Sequence, residues 1–498
     1  MSKKVDYKII ILILLIILTR VFLFKNFFHE WDSINFALAI KKFNIYADQP
    51  HPPGYSILVL MSKLIYIFIK DELRSLQILS VIFSILGVII FYYFLKYLTK
   101  NEKYSFFGTI IFSFSSIFYF YGTVEDIYVS EVFLTLLIGF LSFLTLFDKK
   151  KSYLLSIFYG LGGGIRFNSL IFFFPLILYI FIKIKLKFKE ILINLLLILI
   201  FILIWYIPTI YSGGGIKIHS FHSKTLFTWV LGTSIFFDNY YWIKNTFLTF
   251  ILFLKETLIS IIILIYMFIK RKDNLNFLLI WIVPSLLFYF LIHAPKVGYY
   301  LTVIPPLYLF LFYKLFYFKI KSKKIFLIIL ISILIVNFTL RFFELRNKLD
   351  IQINNINEII LKIKKAIQND KQTVIFLSDE SVDLFRFAYY FPNNKIYFIS
   401  PLSNYICEWN IENGYIVQYK REPMEIYEGN VIKIDEYVNK IIFICDHPRD
   451  FEEILMLEGI KIEESQGSLK GGGVTIISYE IPKDFDYIFV KGYIITKK

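Results

Sequence analysis

From Lys183 to Tyr211 the chain reads KIKLKFKEILINLLLILIFILIWYIPTIY: four lysines in seven residues, then 21 residues from Ile191 to Tyr211 without a charge. At 1.5 Å of rise per residue that run makes about 30 Å of helix, the thickness of a bilayer's hydrocarbon, and the basic cluster beside it marks a cytoplasmic end. The same pattern recurs along the chain, with basic clusters at Lys96 to Lys103, Lys149 to Lys151, Lys270 to Lys272 and Lys314 to Lys324. The segments between them are poor in Lys and Arg: Tyr121 to Ile127 has neither, the tip near Arg166 has one, and His293 to Gly298 has only Lys296. Applied throughout, the pattern predicts eleven membrane helices, at residues 9–24, 75–95, 104–121, 128–147, 153–166, 169–182, 191–211, 246–269, 276–292, 300–318 and 325–340. The first follows Lys3, Lys4 and Lys8 and is flanked by Arg20 to Lys25, which is too bulky for signal-peptide cleavage, so the N-terminus is expected in the cytoplasm.

Composition agrees with a polytopic protein of the plasma membrane: 57% of residues are hydrophobic, 19% are charged and the mean hydropathy is +0.63. The net charge of +15 sits in clusters at the ends of apolar runs rather than on a polar surface, which excludes a nucleic-acid-binding protein. An odd number of crossings puts residues 341–498 outside. This part has β-type runs at Thr373 to Leu377, Lys395 to Ile399, Lys440 to Cys445, Val474 to Tyr479 and Tyr487 to Val490, with helical stretches at Ile351 to Gln368 and Asp450 to Leu457. The fold class is therefore a polytopic α-helical membrane part, 1–340, and an extracytoplasmic α/β domain, 341–498. Residues 25–74 form an external loop, in which Gly54 to Lys70 lies along the interface as an amphipathic helix. Cys407 and Cys445 are too few for a disulfide framework, although they are free to pair with each other.

This topology gathers the unusual polar residues on the outer face. They are His29-Glu30-Trp31-Asp32, His51-Pro52-Pro53-Gly54-Tyr55, Glu125-Asp126 with Glu131 one turn on, Arg166, His219 and His222, and His293 to Tyr300 with Lys296 and Tyr299. An acid after the first helix, a His-Pro-Pro-Gly-Tyr element, an acidic turn after the third helix and a Lys-x-Gly-Tyr-Tyr-Leu-x-x-Ile-Pro-Pro element, in this order, resemble GT-C glycosyltransferases. The branch is that of the protein O-mannosyltransferases and the lipid A aminoarabinose transferases, and the resemblance covers about residues 1–340. It implies transfer of a sugar from a polyprenyl-phosphate carrier to a lipid, glycan or protein acceptor on the outer face. Asp32 then holds the place of the catalytic acid, with Glu30 as a possible second.

The chemistry of that transfer asks for a carboxylate to take the acceptor's proton and for cations or donors at the leaving phosphate. His51, Arg166, Lys296 and Tyr299 are the candidates at the phosphate, and Glu125 and Asp126 those at the sugar or acceptor. The chain departs from the family pattern in two places: Trp31 separates Glu30 from Asp32, where many relatives carry two adjacent acids, and His51 stands where the aminoarabinose branch has lysine. The absence of a Trp-Trp-Asp-Tyr-Gly element argues against an oligosaccharyltransferase of the N-glycosylation type.

Each residue also has a plainer reading. Asp32 suits a helix N-cap, His51-Pro52-Pro53-Gly54 a rigid turn, Glu125 and Asp126 a solvated loop, Gly162 to Gly164 before Arg166 a tight helical hairpin, and Lys296 an interfacial lysine. The residues name no definite cofactor and leave a divalent metal open: His219 and His222, spaced i, i+3, are its weak candidate ligands, with an acid beside them. Two rival readings are a transporter or lipid flippase, which predicts an inverted repeat, and a catalytically silent assembly subunit.

Overall fold

The structure is a computed structural model that describes the chain apart from residues 1–5, 29, 238, 272–275, 294–295, 318–322, 368–371, 379–383, 400–404, 413–414, 424–429, 446–451, 466–473, 484, 491–492 and 498. His29 and parts of the basic clusters at Lys270 to Lys272 and Lys314 to Lys324 thus lie outside the described residues. In chain order the helices are α1 (Tyr7–Val21), α2 (Trp31–Lys41), α3 (Ser56–Ile69), α4 (Glu72–Thr99), α5 (Glu102–Ser113), α6 (Ser116–Tyr121), α7 (Val129–Thr145) and α8 (Lys151–Ile165). They continue with α9 (Asn168–Lys183), α10 (Phe188–Ser212), α11 (Ile216–Gly232), α12 (Asn239–Arg271), α13 (Asn276–Leu291), α14 (Ile304–Tyr317), α15 (Lys323–Ile367), α16 (Leu384–Tyr390) and α17 (Glu452–Leu455). Two compact units result, Met1–Asn26 with Pro52–Arg346 and Phe27–His51 with Asn347–Lys498.

Every apolar run expected to be helical is helical, with two refinements: the 104–121 run is broken into α5 and α6, and the 300–318 run opens with a 3-10 turn, Val297–Thr302. Residues 213–242, expected as loop, carry α11. The expected count of eleven crossings is not carried by helix length. Among the described residues α4 and α10 are long and apolar enough to cross, while α3, α7, α9, α13 and α14 are apolar but shorter.

Helix α10 shows why the first unit suits lipid. Leu192, Leu195, Leu196, Leu199, Leu203 and Ile204 are exposed, while Asn194 is fully buried, accepting from Ser156 Oγ at 2.7 Å and donating to Ser152 Oγ at 3.2 Å. Apolar outside and polar inside is the arrangement for a hydrocarbon solvent. At one end of this unit Lys8 of α1 and Lys96 of α4 both reach Glu102 of α5, at 3.1 and 2.5 Å, so the N-terminal helix and the Lys96 to Lys103 turn share an end. Helix α3, 14 residues or about 21 Å long, is too short to span. It buries Leu58, Val59 and Ser62 and exposes Leu60, Leu64 and Phe68, as a one-sided helix does. Tyr55, which caps its start, is in the left-handed region at φ +47°.

The second unit is built on a mixed sheet. Its strands are β1 (Thr373–Ser378), β2 (Lys395–Ile399), β3 (Tyr405–Glu412), β4 (Tyr415–Pro423), β5 (Asn430–Ile434), β6 (Lys440–Cys445), β7 (Ile460–Ser465), β8 (Val474–Glu480), β9 (Tyr487–Val490) and β10 (Tyr493–Lys497). The order is β4-β3-β2-β1-β6-β8-β7, with β1 parallel to β2 and β6, and the other pairs antiparallel; β5, β10 and β9 form a small second sheet. Alternation along β1 sends Val374 and Phe376 to one core and Ile375 and Leu377 to another. The second core is closed by Ile356, Ile359, Ile360, Ile363 and Ile367, the apolar stripe of the last turns of α15. Cys445 is buried, and its thiol donates to the Thr475 carbonyl at 3.8 Å.

The external stretch 25–74 is divided between the units. Residues 27–51 pack with the C-terminal part: Phe28 meets Tyr389 edge-on at 5.1 Å and its carbonyl accepts from Arg386 Nη1 at 2.6 Å. The boundary read from hydropathy alone missed this, because a short polar segment carries no signal of the surface on which it packs.

Candidate active site

Three of the elements read from the sequence meet at one side chain. Arg166 ends α8 in extended backbone (φ −148°) and is 5% exposed. Its guanidinium carbon lies 5.7 Å from the ring centre of Tyr55, 5.3 Å from that of Tyr128 and 5.2 Å from that of Tyr299, and Nη1 donates to the Tyr55 hydroxyl at 3.3 Å. Tyr55 closes the His-Pro-Pro-Gly-Tyr element, Tyr128 follows the acidic turn, and Tyr299 belongs to the Lys-x-Gly-Tyr-Tyr element. Cations over aromatic faces are attracted by the ring quadrupole, more strongly where water is excluded. Glu131, 2% exposed on the first turn of α7, stands with Oε1 2.7 Å from Arg166 Nε, so the buried cation is neutralised.

Around this centre, Lys296 Nζ lies 5.9 Å from the Tyr128 ring centre, and the Gly298 amide donates to the Tyr121 hydroxyl at 3.2 Å. Glu125 and Asp126, which a solvated loop would expose, are 2% and 4% exposed. Their turn is fixed by Ser80 Oγ, which donates to the Asp126 carbonyl at 3.2 Å, and by Thr123 Oγ1, which donates to the Phe120 carbonyl at 2.7 Å. The glycines before Arg166 serve helix packing: a Cβ on Gly163 or Gly164 would stand 2.8 or 2.7 Å from the Trp205 indole.

In the second unit, Asp32 is the second residue of α2 and not its cap. Glu30 is the N-cap, and its side chain makes no capping hydrogen bond. Asp32 Oδ1 lies 3.8 Å from His51 Nδ1, both side chains being part-exposed, and the Phe36 ring stands edge-on to the imidazole at 6.2 Å. The bridge between Asn44 and Gln49 turns the chain so that His51 returns to α2. A carboxylate beside an imidazole on a short helix is an arrangement able to accept and hand on a proton.

His219 and His222 lie on α11. His219 is buried against Tyr206 and Gly213, and His222 adjoins the Phe221 ring. Among the described residues no three His, Cys, Asp or Glu side chains are grouped to hold a metal. The sequence reading noted Glu131 but gave it no partner, and it passed over Arg20 and Glu256, which are 0% and 4% exposed. The signal for both was present, since an ionisable residue inside an apolar run is costly without a use.

Residues 32–190 match the family model described as Protein O-mannosyl-transferase TMEM260 N-terminal domain. No curated protein matches the chain. Among solved structures, ArnT from Cupriavidus metallidurans bound to undecaprenyl phosphate is similar in fold, at a TM-score of 0.60 and 8% identity over 95% of this chain and 98% of that one. The resemblance to the GT-C branch that holds the protein O-mannosyltransferases and ArnT is thus shown from two sides, by the sequence of residues 32–190 and by a fold shared over nearly the whole chain.

Proposed function

We propose that the protein is an integral membrane glycosyltransferase that moves a monosaccharide from a polyprenyl-phosphate carrier to an acceptor hydroxyl on the extracytoplasmic face of a multi-pass membrane fold. The observation that carries this reading is the convergence of three separate motif elements on Arg166, inside a chain that resembles glycosyltransferases in both sequence and fold. In the reaction, Asp32 takes the acceptor's proton as its oxygen bonds to the anomeric carbon. The bond from that carbon to the phosphate oxygen breaks, and its electron pair leaves with the lipid phosphate. His51 orients Asp32, and Glu30 supports the same carboxylate site. Lys296 and Tyr299 receive the phosphate charge, while Arg166, already neutralised by Glu131, holds Tyr299 and Tyr128 in place behind them. Glu125 and Asp126 face the sugar or acceptor.

The test is release of polyprenyl phosphate from a panel of radiolabelled lipid-linked sugars by purified protein in nanodiscs, native against Asp32→Asn. Loss of the base should lower turnover by about 10²- to 10⁴-fold with the protein still folded. Undiminished turnover by a folded Asp32→Asn variant would sink the mechanism.

A further inference from the structure

The run from Glu102 to Tyr121 has no proline, and its one glycine, Gly108, lies within regular helix, yet the helix breaks after Ser113. Phe114 (φ −102°, ψ 18°) and Ser115 (φ −62°, ψ 128°) separate α5 from α6. A break inside an apolar bundle frees carbonyls at the end of one helix and N–H groups at the start of the next, and a hydrocarbon surrounding supplies no partners for them. Two buried ionisable side chains stand at those two ends. Arg20 Nη2 of α1 donates to the Ser113 carbonyl at 2.9 Å, and its guanidinium carbon lies 5.2 Å from the Phe118 ring centre and 4.9 Å from that of Tyr119. The Glu256 carboxylate of α12 accepts from the Ser116 amide at 3.0 Å, from Ser116 Oγ at 2.6 Å and from the Tyr308 hydroxyl at 3.3 Å. The cation meets the negative end of α5 and the acid meets the positive end of α6, the favourable sense at both.

We propose that Arg20 and Glu256 form a split clamp on the α5–α6 break and act as positioning residues for the acidic turn that holds Glu125 and Asp126. Six residues of helix have no stability of their own, so the direction of α6 is set by what holds its ends. Glu256 fixes its start. The Tyr119 hydroxyl, donating to the Thr19 carbonyl at 2.7 Å, ties its middle to α1, and Arg20 lies against its exit. At that exit a Cβ on Gly122 would stand 2.6 Å from Arg20 Nε and 2.7 Å from Ser84 Oγ, so the chain passes the guanidinium at a distance only glycine allows. The acidic turn begins at the next residue. Its two carboxylates are therefore aimed by groups that never touch substrate. This inference rests on the reading of Glu125 and Asp126 as groups that face the sugar or acceptor.

Hydrogen exchange of the full chain in nanodiscs tests it apart from activity. Loss of a charge-assisted hydrogen bond at the Ser116 amide in Glu256→Ala should speed exchange across residues 116–128 by about tenfold or more, with α8 and α10 unchanged. Glu256→Gln, whose amide oxygen still accepts, should restore most of the protection, and Tyr308→Phe should give a smaller rise confined to the same residues. In the transfer assay, Glu256→Gln should retain turnover while Glu256→Ala lowers kcat with the donor KM unchanged, a split that general loosening does not give. Unchanged exchange at 116–128 in Glu256→Ala, or an equal rise in every helix, would overturn the clamp. Full turnover in Glu125→Gln and Asp126→Asn would instead refute the role given to the turn, and the exchange result would still decide whether the clamp exists.

Discussion

Two buried guanidiniums organise the first unit, and they are neutralised differently. Arg166 has a carboxylate oxygen at 2.7 Å and three tyrosine rings around it. Arg20 has, among the described residues, no carboxylate partner; it leans on a backbone carbonyl and two aromatic faces. Where a helix is broken, its own carbonyls serve as the counter-charge. Where the cation must hold side chains from three distant elements, a dedicated acid is needed. The first arrangement couples a charge to the backbone, and the second couples it to another ionisable group.

The sharpest way to break this comparison is Glu131→Gln, which strands Arg166 as a buried charge without a counter-ion and should cost about 3–5 kcal/mol in unfolding experiments in nanodiscs. Arg166→Met in the same background should recover much of that loss; no recovery would mean that the two groups are not coupled. Arg20→Met should cost less, about 1.5–3 kcal/mol, because it removes a hydrogen bond to a charged group but leaves no opposite charge behind. A loss as large as that of Glu131→Gln would erase the distinction. Gly122→Ala should cost about 1–3 kcal/mol by crowding Arg20 and Ser84, and part of that cost should vanish when Arg20 is already methionine.

The smallest effect is a pH dependence at His219, which has an option that arginine lacks. Burial first, and then the neighbouring His222, hold its imidazole below the usual range. The folded chain therefore binds this proton less readily than the unfolded chain. The resulting stability is complete above the unfolded value of about 6.5 and declines as pH falls from there toward the lower folded value. Unfolding temperatures compared at about pH 7.5 and about pH 5.5 should differ more for the native chain than for His219→Asn.

Much of this architecture was legible in the residues, because apolar runs between lysine clusters are long-range signals that packing does not alter. The strands Thr373–Ser378 and Lys440–Cys445 were legible for the same reason, as buried central strands are apolar on both faces. The ends of helices were harder. The break at Phe114-Ser115 has no proline or glycine to announce it, since it is held by residues 93 positions before it and 140 after it. The site was legible as a set of elements but not as pairs: Arg166, Tyr299 and Lys296 were visible as candidates, whereas the partnership with Glu131 and the part of Tyr55 and Tyr128 depend on which turns fold together. The placement of residues 27–51 with the C-terminal unit left no mark in hydropathy.

Tyr55 joins the backbone to this chemistry. A left-handed conformation costs a residue with a side chain on the order of 1 kcal/mol, and the ring and hydroxyl on Arg166 are what a glycine there could not supply. The start of α3 is thus a sprung joint held shut by a side chain. Trimming Tyr55 to glycine would relax the spring and release the grip in one step, so the angle at which α3 leaves the site and the seating of the guanidinium can only change together.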